Sequence, residues 1–162
     1  MTSLADIQAR VRPLGLPRAR CGTVALRGDR IRLRTVVADG ALVGHVVDVL
    51  LEPTARRVAG FQVRTPERQD WFVPIAAVVA VGPTGIEMES ALHVVAESDF
   101  YREAGIAASD VLGAVVRHGA REARIDDISV CLADGDVHEV VLDDGGRLPG
   151  ALLGALLARR RR

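Results

Sequence analysis

Lysine is absent from this 162-residue chain, and all 21 basic residues are arginine. The cause is read as genomic: arginine, alanine, glycine and valine codons accumulate in GC-rich, here bacterial, genomes. Arginine content is therefore a poor sign of phosphate recognition in this chain. Aromatic residues make up only 3%, which argues against a surface that stacks successive nucleotide bases. Cysteine is confined to Cys21 and Cys131, too few for a disulfide scaffold. The polar stretch Met1–Arg12 lacks the apolar centre of a secretory leader. A reduced, cytoplasmic setting with two inert thiols is expected. Long hydrophobic runs are missing too. Phe72–Val81 and Leu148–Ala158 hold about ten residues each and contain Pro74, Pro149 or glycine, whereas a bilayer span needs ~20. No membrane crossing is expected.

What the chain does have is aliphatic bulk. Apolar residues reach 49%, so a core must be built from Val, Leu, Ala and Ile. The length suits one ordinary domain or two very small ones. The charges cancel overall but are unevenly spread. Residues 1–34 carry eight Arg against Asp6 and Asp29, a net +6, and residues 91–158 carry five Arg against twelve acids, a net −7. Attraction between the basic N-terminal stretch and the acidic second half of the chain is the economical reading.

At an offset of 79 residues the sequence matches itself. Val36, Val37, Gly40, Ala41, Asp48, Val49, Leu51, Val58, Phe61 and Val63 fall on Val115, Val116, Gly119, Ala120, Asp127, Ile128, Val130, Val137, Val140 and Leu142 without a gap. Self-similarity at a fixed spacing means one structural unit used twice.

Each unit reads as β. In the first, Val36-Val37 is a strand and Asp39-Gly40 a tight turn. Leu42–Leu51 is a long strand with Val43, Val47, Val49 and Leu51 on its apolar face and Asp48 on the other. Arg57–Arg64 pairs with it, turning Ala59, Phe61 and Val63 inward. Trp71–Val73, a buried turn over Pro74–Val79, and Ile86–Met88 complete the unit. Between the units, Ser98 opens a short helix ended by Gly105, and Ser109 opens another turn. The second unit pairs Ile125–Leu132 with Val137–Leu142 across Asp134-Gly135, with Ile128, Val130, Leu132, Val140 and Leu142 on the apolar faces. Arg147–Leu153 echoes Phe72–Val78. Ahead of both, Leu4–Val11 reads as a short helix and Pro13–Arg30 as an arm.

The runs Asp39–Val49, Val58–Val63 and Trp71–Val78 resemble the PRC-barrel family. That family combines a D-G turn, a G-x-V-x-D-V strand, a valine-rich partner strand and a V-P-x-x-x-V element. Ile31–Met88 fits it well. Leu112–Leu153 fits more loosely, because Ala123 stands for the strand glycine and Asp126 interrupts the apolar face. The resemblance implies two small antiparallel PRC-type β-barrels in tandem with short connecting helices. It divides the chain into a basic arm with a short helix (1–30), a first unit (31–90), a linker with a short helix (91–110), a second unit (111–158) and an arginine tail (159–162). It also implies a docking or scaffolding role rather than catalysis.

The residues themselves carry no catalytic pattern. His45, His93, His118 and His138 lack metal-ligand spacing. Asp134, Asp136, Glu139, Asp143 and Asp144 lack the ligand order of a calcium loop and read as turn residues. Asp48 and Asp127, the acids common to both units, read as polar-face residues bonding a neighbouring turn. No phosphate loop, serine elbow or dinucleotide fingerprint appears. Trp71, Phe72, Phe100 and Tyr101 are the scarce aromatics, with Phe72 and Phe100 expected in the core. No catalytic, cofactor-binding or metal-binding residue is expected, and no cofactor. The function expected is a non-enzymatic cytoplasmic adaptor that binds a protein partner, with a homo-oligomer as one form. Ribosomal RNA, contacted by Arg10–Arg34 and Arg159–Arg162, is the alternative partner. A small-ligand or ion sensor in a cleft between the barrels is the third.

Overall fold

A computed structural model describes residues 23–82, 85–96, 98–131 and 134–160. The protein is mainly β. The strands are β1 (Thr23–Ala25), β2 (Thr35–Ala38), β3 (Ala41–Leu51), β4 (Val58–Arg64), β5 (Asp70–Pro74), β6 (Val78–Val81), β7 (Gly85–Met88), β8 (Ile106–Ala107), β9 (Val115–His118), β10 (Arg121–Cys131), β11 (Val137–Leu142) and β12 (Arg147–Pro149). Among the described residues three short α-helices accompany them: α1 (Ser98–Ala104), α2 (Ala108–Val111) and α3 (Leu153–Arg160). The expected helix Leu4–Val11 lies outside the described residues.

The strands form two sheets. One runs β5-β4-β3-β2-β7-β6 with β8 added on β3, and the other runs β1-β10-β11-β12 with β9 added on β10. All pairs are antiparallel except β2 with β7, which is parallel. Each ordering ends on an edge strand, so the ladders are open rather than closed on themselves.

The layouts correspond strand for strand. β3 and β10 are the long central strands, each followed by a hairpin partner, β4 or β11. On the opposite side each is shared by two short strands, β2 and β8 on β3, β9 and β1 on β10. Both central hairpins carry irregularities at matching positions: between Val46 and Asp48 and between Leu50 and Leu51, then between Ile125 and Asp127 and between Ser129 and Val130.

Those bulges overturn part of the expected face pattern. An extra residue in one strand reverses the in–out alternation beyond it. Val47 is the extra residue and is only half-buried, while Val46 beside it is 1% exposed and lies in the core. Asp126, at the same place in β10, is exposed, which is why a carboxylate is tolerated there. Ala59 is likewise the extra residue of β4. It leaves the main core for a second cluster with Leu50, Phe72, Tyr101 and Ala107.

One main core serves both sheets. Phe61, Val63 and Val73 from the first sheet share a single cluster with Ile125, Ile128, Val130 and Val140 from the second. Each such fully buried aliphatic or aromatic side chain is worth roughly 1.5–3 kcal/mol. The two halves are therefore one body. Leu153 and Leu156 of α3, at helical spacing, join the same core and Leu157 packs against it. This helix occupies part of a stretch for which only an echo of Phe72–Val78 was expected, and it reaches into the arginine tail.

The segment expected to be an N-terminal arm contains, in its described part, a strand. β1 lies antiparallel on β10 with Thr23 opposite Cys131, Val24 opposite Val130 and Ala25 opposite Ser129. Cys131 is disulfide-bonded, not the free thiol expected; Cys21 lies outside the described residues. The cytoplasmic expectation thus loses its cysteine argument. No helix among the described residues is long and apolar enough to cross a membrane.

Candidate docking face and the joints between the sheets

Asp48 and Asp127 are the acids that the two halves have in common, and the structure gives both the same task. Asp48 Oδ1 accepts the N–H of Val49 at 2.8 Å and of Ser109 at 3.2 Å. Asp127 Oδ1 accepts the N–H of Ile128 at 2.8 Å and of Arg27 at 2.8 Å. The second oxygen of Asp48 accepts the Ser109 hydroxyl, and that of Asp127 the Gly28 N–H at 2.8 Å. Each carboxylate therefore fastens the segment that precedes the other half. β8 and β1 are laid down in the same crossed manner. Ala107 pairs with Leu50 and Ile106 with Leu51, just as Ala25 pairs with Ser129 and Val24 with Val130. The two acids are builders of this crossed joint, as the turn-bonding reading anticipated.

The remaining acids of the second half also hold turns and ion pairs. Asp134 Oδ1 accepts the Asp136 N–H, Asp144 Oδ1 the Gly146 N–H and Asp143 Oδ1 the Arg124 N–H. Glu139 faces Arg147 at 3.4 Å. His45, His118 and His138 are exposed, and His93 stands 3.6 Å from Glu89. Among the described residues no group of three or more His, Cys, Asp or Glu could hold a metal ion.

The face with the composition of a contact surface lies over β5 and α1. Tyr101 is 6% exposed and its ring stacks on Phe72 at 4.0 Å and 8°. This stack clamps α1 to the outer side of the sheet. Val95 adds to it, exchanging both main-chain hydrogen bonds with Phe72 at 2.8 and 2.9 Å. Phe100, one residue before Tyr101, is 47% exposed and meets Tyr101 edge-on at 5.3 Å and 87°. It was expected in the core. With Tyr101 turned onto the sheet, its helical neighbour must point away. A rigid aromatic stands half in solvent.

Beside Phe100 lies a cavity of about 510 Å³ lined by Arg68, Asp70, Ala96, Ser98, Asp99 and Phe100. Its Asp70 carboxylate is held in place. Arg64 Nε donates to Asp70 Oδ1 at 2.8 Å and a second guanidinium nitrogen to Asp70 Oδ2 at 3.1 Å. Gln62, 3% exposed, donates to Asp70 Oδ2 at 3.1 Å. The Arg64 hydrogen bond is the main reason why the Asp70 carboxyl sits below the usual carboxylate range, with Arg102 of α1 adding to the pull. The same bond raises Arg64. Sequence reasoning missed the Arg64–Asp70 pair because its partners are set opposite each other only by the β4–β5 register.

Three of the four described arginines of the basic N-terminal stretch, all but Arg30, spend their guanidinium groups on contacts within the protein. Arg27 pairs with Asp126 at 2.9 Å. Arg32 donates to the Val47 carbonyl at 2.7 Å, and Arg34 to the carbonyls of Gly82 and Asp29 at 2.6 and 2.7 Å. A scan of protein-family profiles finds no match to the chain, and a search of curated proteins finds none either.

Proposed function

We propose that the chain consists of two PRC-barrel-like units interlocked into one body, and that this body is a non-enzymatic adaptor docking a protein partner on the face around Phe100. Phe100 carries the reading. An aromatic side chain 47% exposed, on a helix pinned by a buried aromatic stack, is already ordered before a partner arrives. Pre-ordered aromatic anchors beside arginine are what contact centres are made of. The cavity next to it offers room for a partner side chain, and the Arg64–Asp70 pair supplies a fixed polar rim.

The PRC-type reading is supported by the D-G turn, the bulged central strand and the Pro-led turn after β5, which have counterparts in the second half. The ribosomal-RNA alternative has no comparable support, since Arg27, Arg32 and Arg34 are engaged within the fold. A ligand cleft between the units is not carried forward either, because a shared core fills the space between the sheets.

The experiment is affinity capture with the wild-type chain and with Phe100→Ala, followed by a direct binding measurement on the protein recovered. A partner bound by wild type and weakened at least about tenfold by Phe100→Ala is the expected result. Unchanged binding by that variant contradicts the docking face. Turnover of a substrate, abolished by a point change in a cavity, contradicts the adaptor reading as a whole.

A further inference from the structure

A second cavity, independent of the docking face, lies between the tips of two hairpins in the five-stranded sheet. It is open to solvent on one side and has a volume of about 230 Å³. The β9–β10 hairpin contributes His118 and Arg121, which are cross-strand partners, and the β11–β12 hairpin contributes Asp144, Gly146 and Arg147. Ala123, Leu142 and Leu148, all buried, make the apolar floor.

The rim favours an anion. Among the described residues the side chains of Arg121 and His118 make neither a hydrogen bond nor an ion pair. Arg147 is shared with Glu139 at 3.4 Å. Asp144, the single acid in the lining, is tied into its own turn through the Gly146 N–H at 2.8 Å. The fold does not require these cations. The pair that closes the β9–β10 hairpin, His118 opposite Arg121, corresponds to Ala38 opposite Ala41 in the β2–β3 hairpin, which also turns in two residues.

Size and lining select the ligand. A dry apolar cavity of about 150 Å³ admits benzene, so the additional space here accommodates one ring plus a carboxylate. We propose that this cavity binds a small aromatic monocarboxylate. The ring lies on Ala123, Leu142 and Leu148, and the carboxylate is held by the planar fork of Arg121, whose donors match carboxylate geometry.

Sodium benzoate is the probe, titrated into the full chain and followed by amide NMR, with benzyl alcohol and inorganic phosphate as controls at matched ionic strength. Saturable shifts confined to the β9–β10 and β11–β12 hairpins are expected. Binding weakens at least about tenfold for benzyl alcohol, for phosphate and for Arg121→Gln. Arg121→Ala, which copies Ala41 of the first hairpin, keeps the fold and loses the benzoate response. The proposal is overturned by absence of saturable shifts or by equal binding of benzyl alcohol. Equal binding of phosphate, or an unaltered response in both Arg121 variants, overturns it as well.

Discussion

Arg57 and Asp136 occupy equivalent places in the two halves, 79 residues apart, and they face each other across an antiparallel bridge. Arg57 Nε lies 3.3 Å from Asp136 Oδ1. The flanking bonds are reciprocal, Val58 N–H to the Gly135 carbonyl at 2.7 Å and Val137 N–H to the Arg56 carbonyl at 2.8 Å. A bridge between equivalent residues marks the pseudo-two-fold axis of the body. The crossed strands β1 and β8 and the carboxylates of Asp127 and Asp48 repeat the same symmetry on either side of it. The exposed ion pair itself contributes little, ~0.2–1 kcal/mol; the geometry is what matters.

Loss of either joint carboxylate destabilises the whole protein. Asp48 is 7% exposed, so Asp48→Ala leaves the Val49 and Ser109 donors without their acceptor and costs ~2–3 kcal/mol. Asp127 is less buried, and Asp127→Ala costs ~1–2 kcal/mol. Urea unfolding monitored by circular dichroism measures both. A change below about 0.5 kcal/mol in Asp48→Ala would show that the joint is ornamental.

Backbone strain differs between two matched positions. Leu33 N–H bonds the Val46 carbonyl and Gly113 N–H bonds the Ile125 carbonyl, with φ of +81° and +84°. Leucine is strained there, and its side chain is 81% exposed, so little packing is at stake. Leu33→Gly is expected to stabilise by a few tenths to ~1 kcal/mol, the relief of strain exceeding the added freedom of the unfolded chain. Gly113→Ala, with open space around the new methyl, costs ~1 kcal/mol from conformation alone. Thermal denaturation of the two variants gives the signs directly.

The bulge in β3 separates two adjacent valines. Val46→Asp places an unpaired carboxylate in the main core and unfolds the protein or costs more than ~3 kcal/mol. Val47→Asp, which copies Asp126 of the other half, costs less than ~1 kcal/mol. Equal costs would mean that the register is wrong.

Asp70 links the docking face to pH. Its folded-state pKa is depressed by Arg64, so its contribution is present above the unfolded pKa of ~3.9 and is lost as pH falls through the lower folded value. Arg64→Ala moves the Asp70 titration up towards the ordinary range, as carboxyl NMR would record, and flattens this part of the acid limb of stability. An unmoved Asp70 titration would exclude Arg64 as the cause.

Phe100 and Tyr101 divide function from stability. Phe100→Ala is expected to cost less than ~1 kcal/mol because the ring is half in solvent, whereas Tyr101→Ala or Phe72→Ala dismantles the second cluster at ~3–5 kcal/mol. Chemical denaturation of the three variants separates them. A Phe100→Ala cost as large as that of Tyr101→Ala would make Phe100 a core residue.

The strands were legible because valine-rich alternation and the Asp39-Gly40 and Asp134-Gly135 turns are local signals. The 79-residue offset placed the matching bulges correctly without disclosing that they were bulges. Faces failed where one inserted residue, Val47 or Ala59, reversed the alternation, which periodicity alone does not register. Phe100 failed because two neighbouring aromatics on one short helix cannot both face the sheet, and composition does not say which one does. β1 was hidden since Thr23–Ala25 is too short for a pattern and its partner β10 is about a hundred residues away. The Arg64–Asp70 pair and the hairpin-tip cavity depend on register and side-chain direction, which the sequence sets only through the completed fold.

Equilibrium unfolding read at one site in each sheet addresses the interlocked body most directly. Trp71 fluorescence reports on the seven-stranded sheet, and the amide signal of Ile128 reports on the five-stranded one. With a shared core and crossed strands, the two probes should give the same denaturant midpoint and the same slope. Two separated transitions, with one sheet melting while the other stays folded, would contradict it.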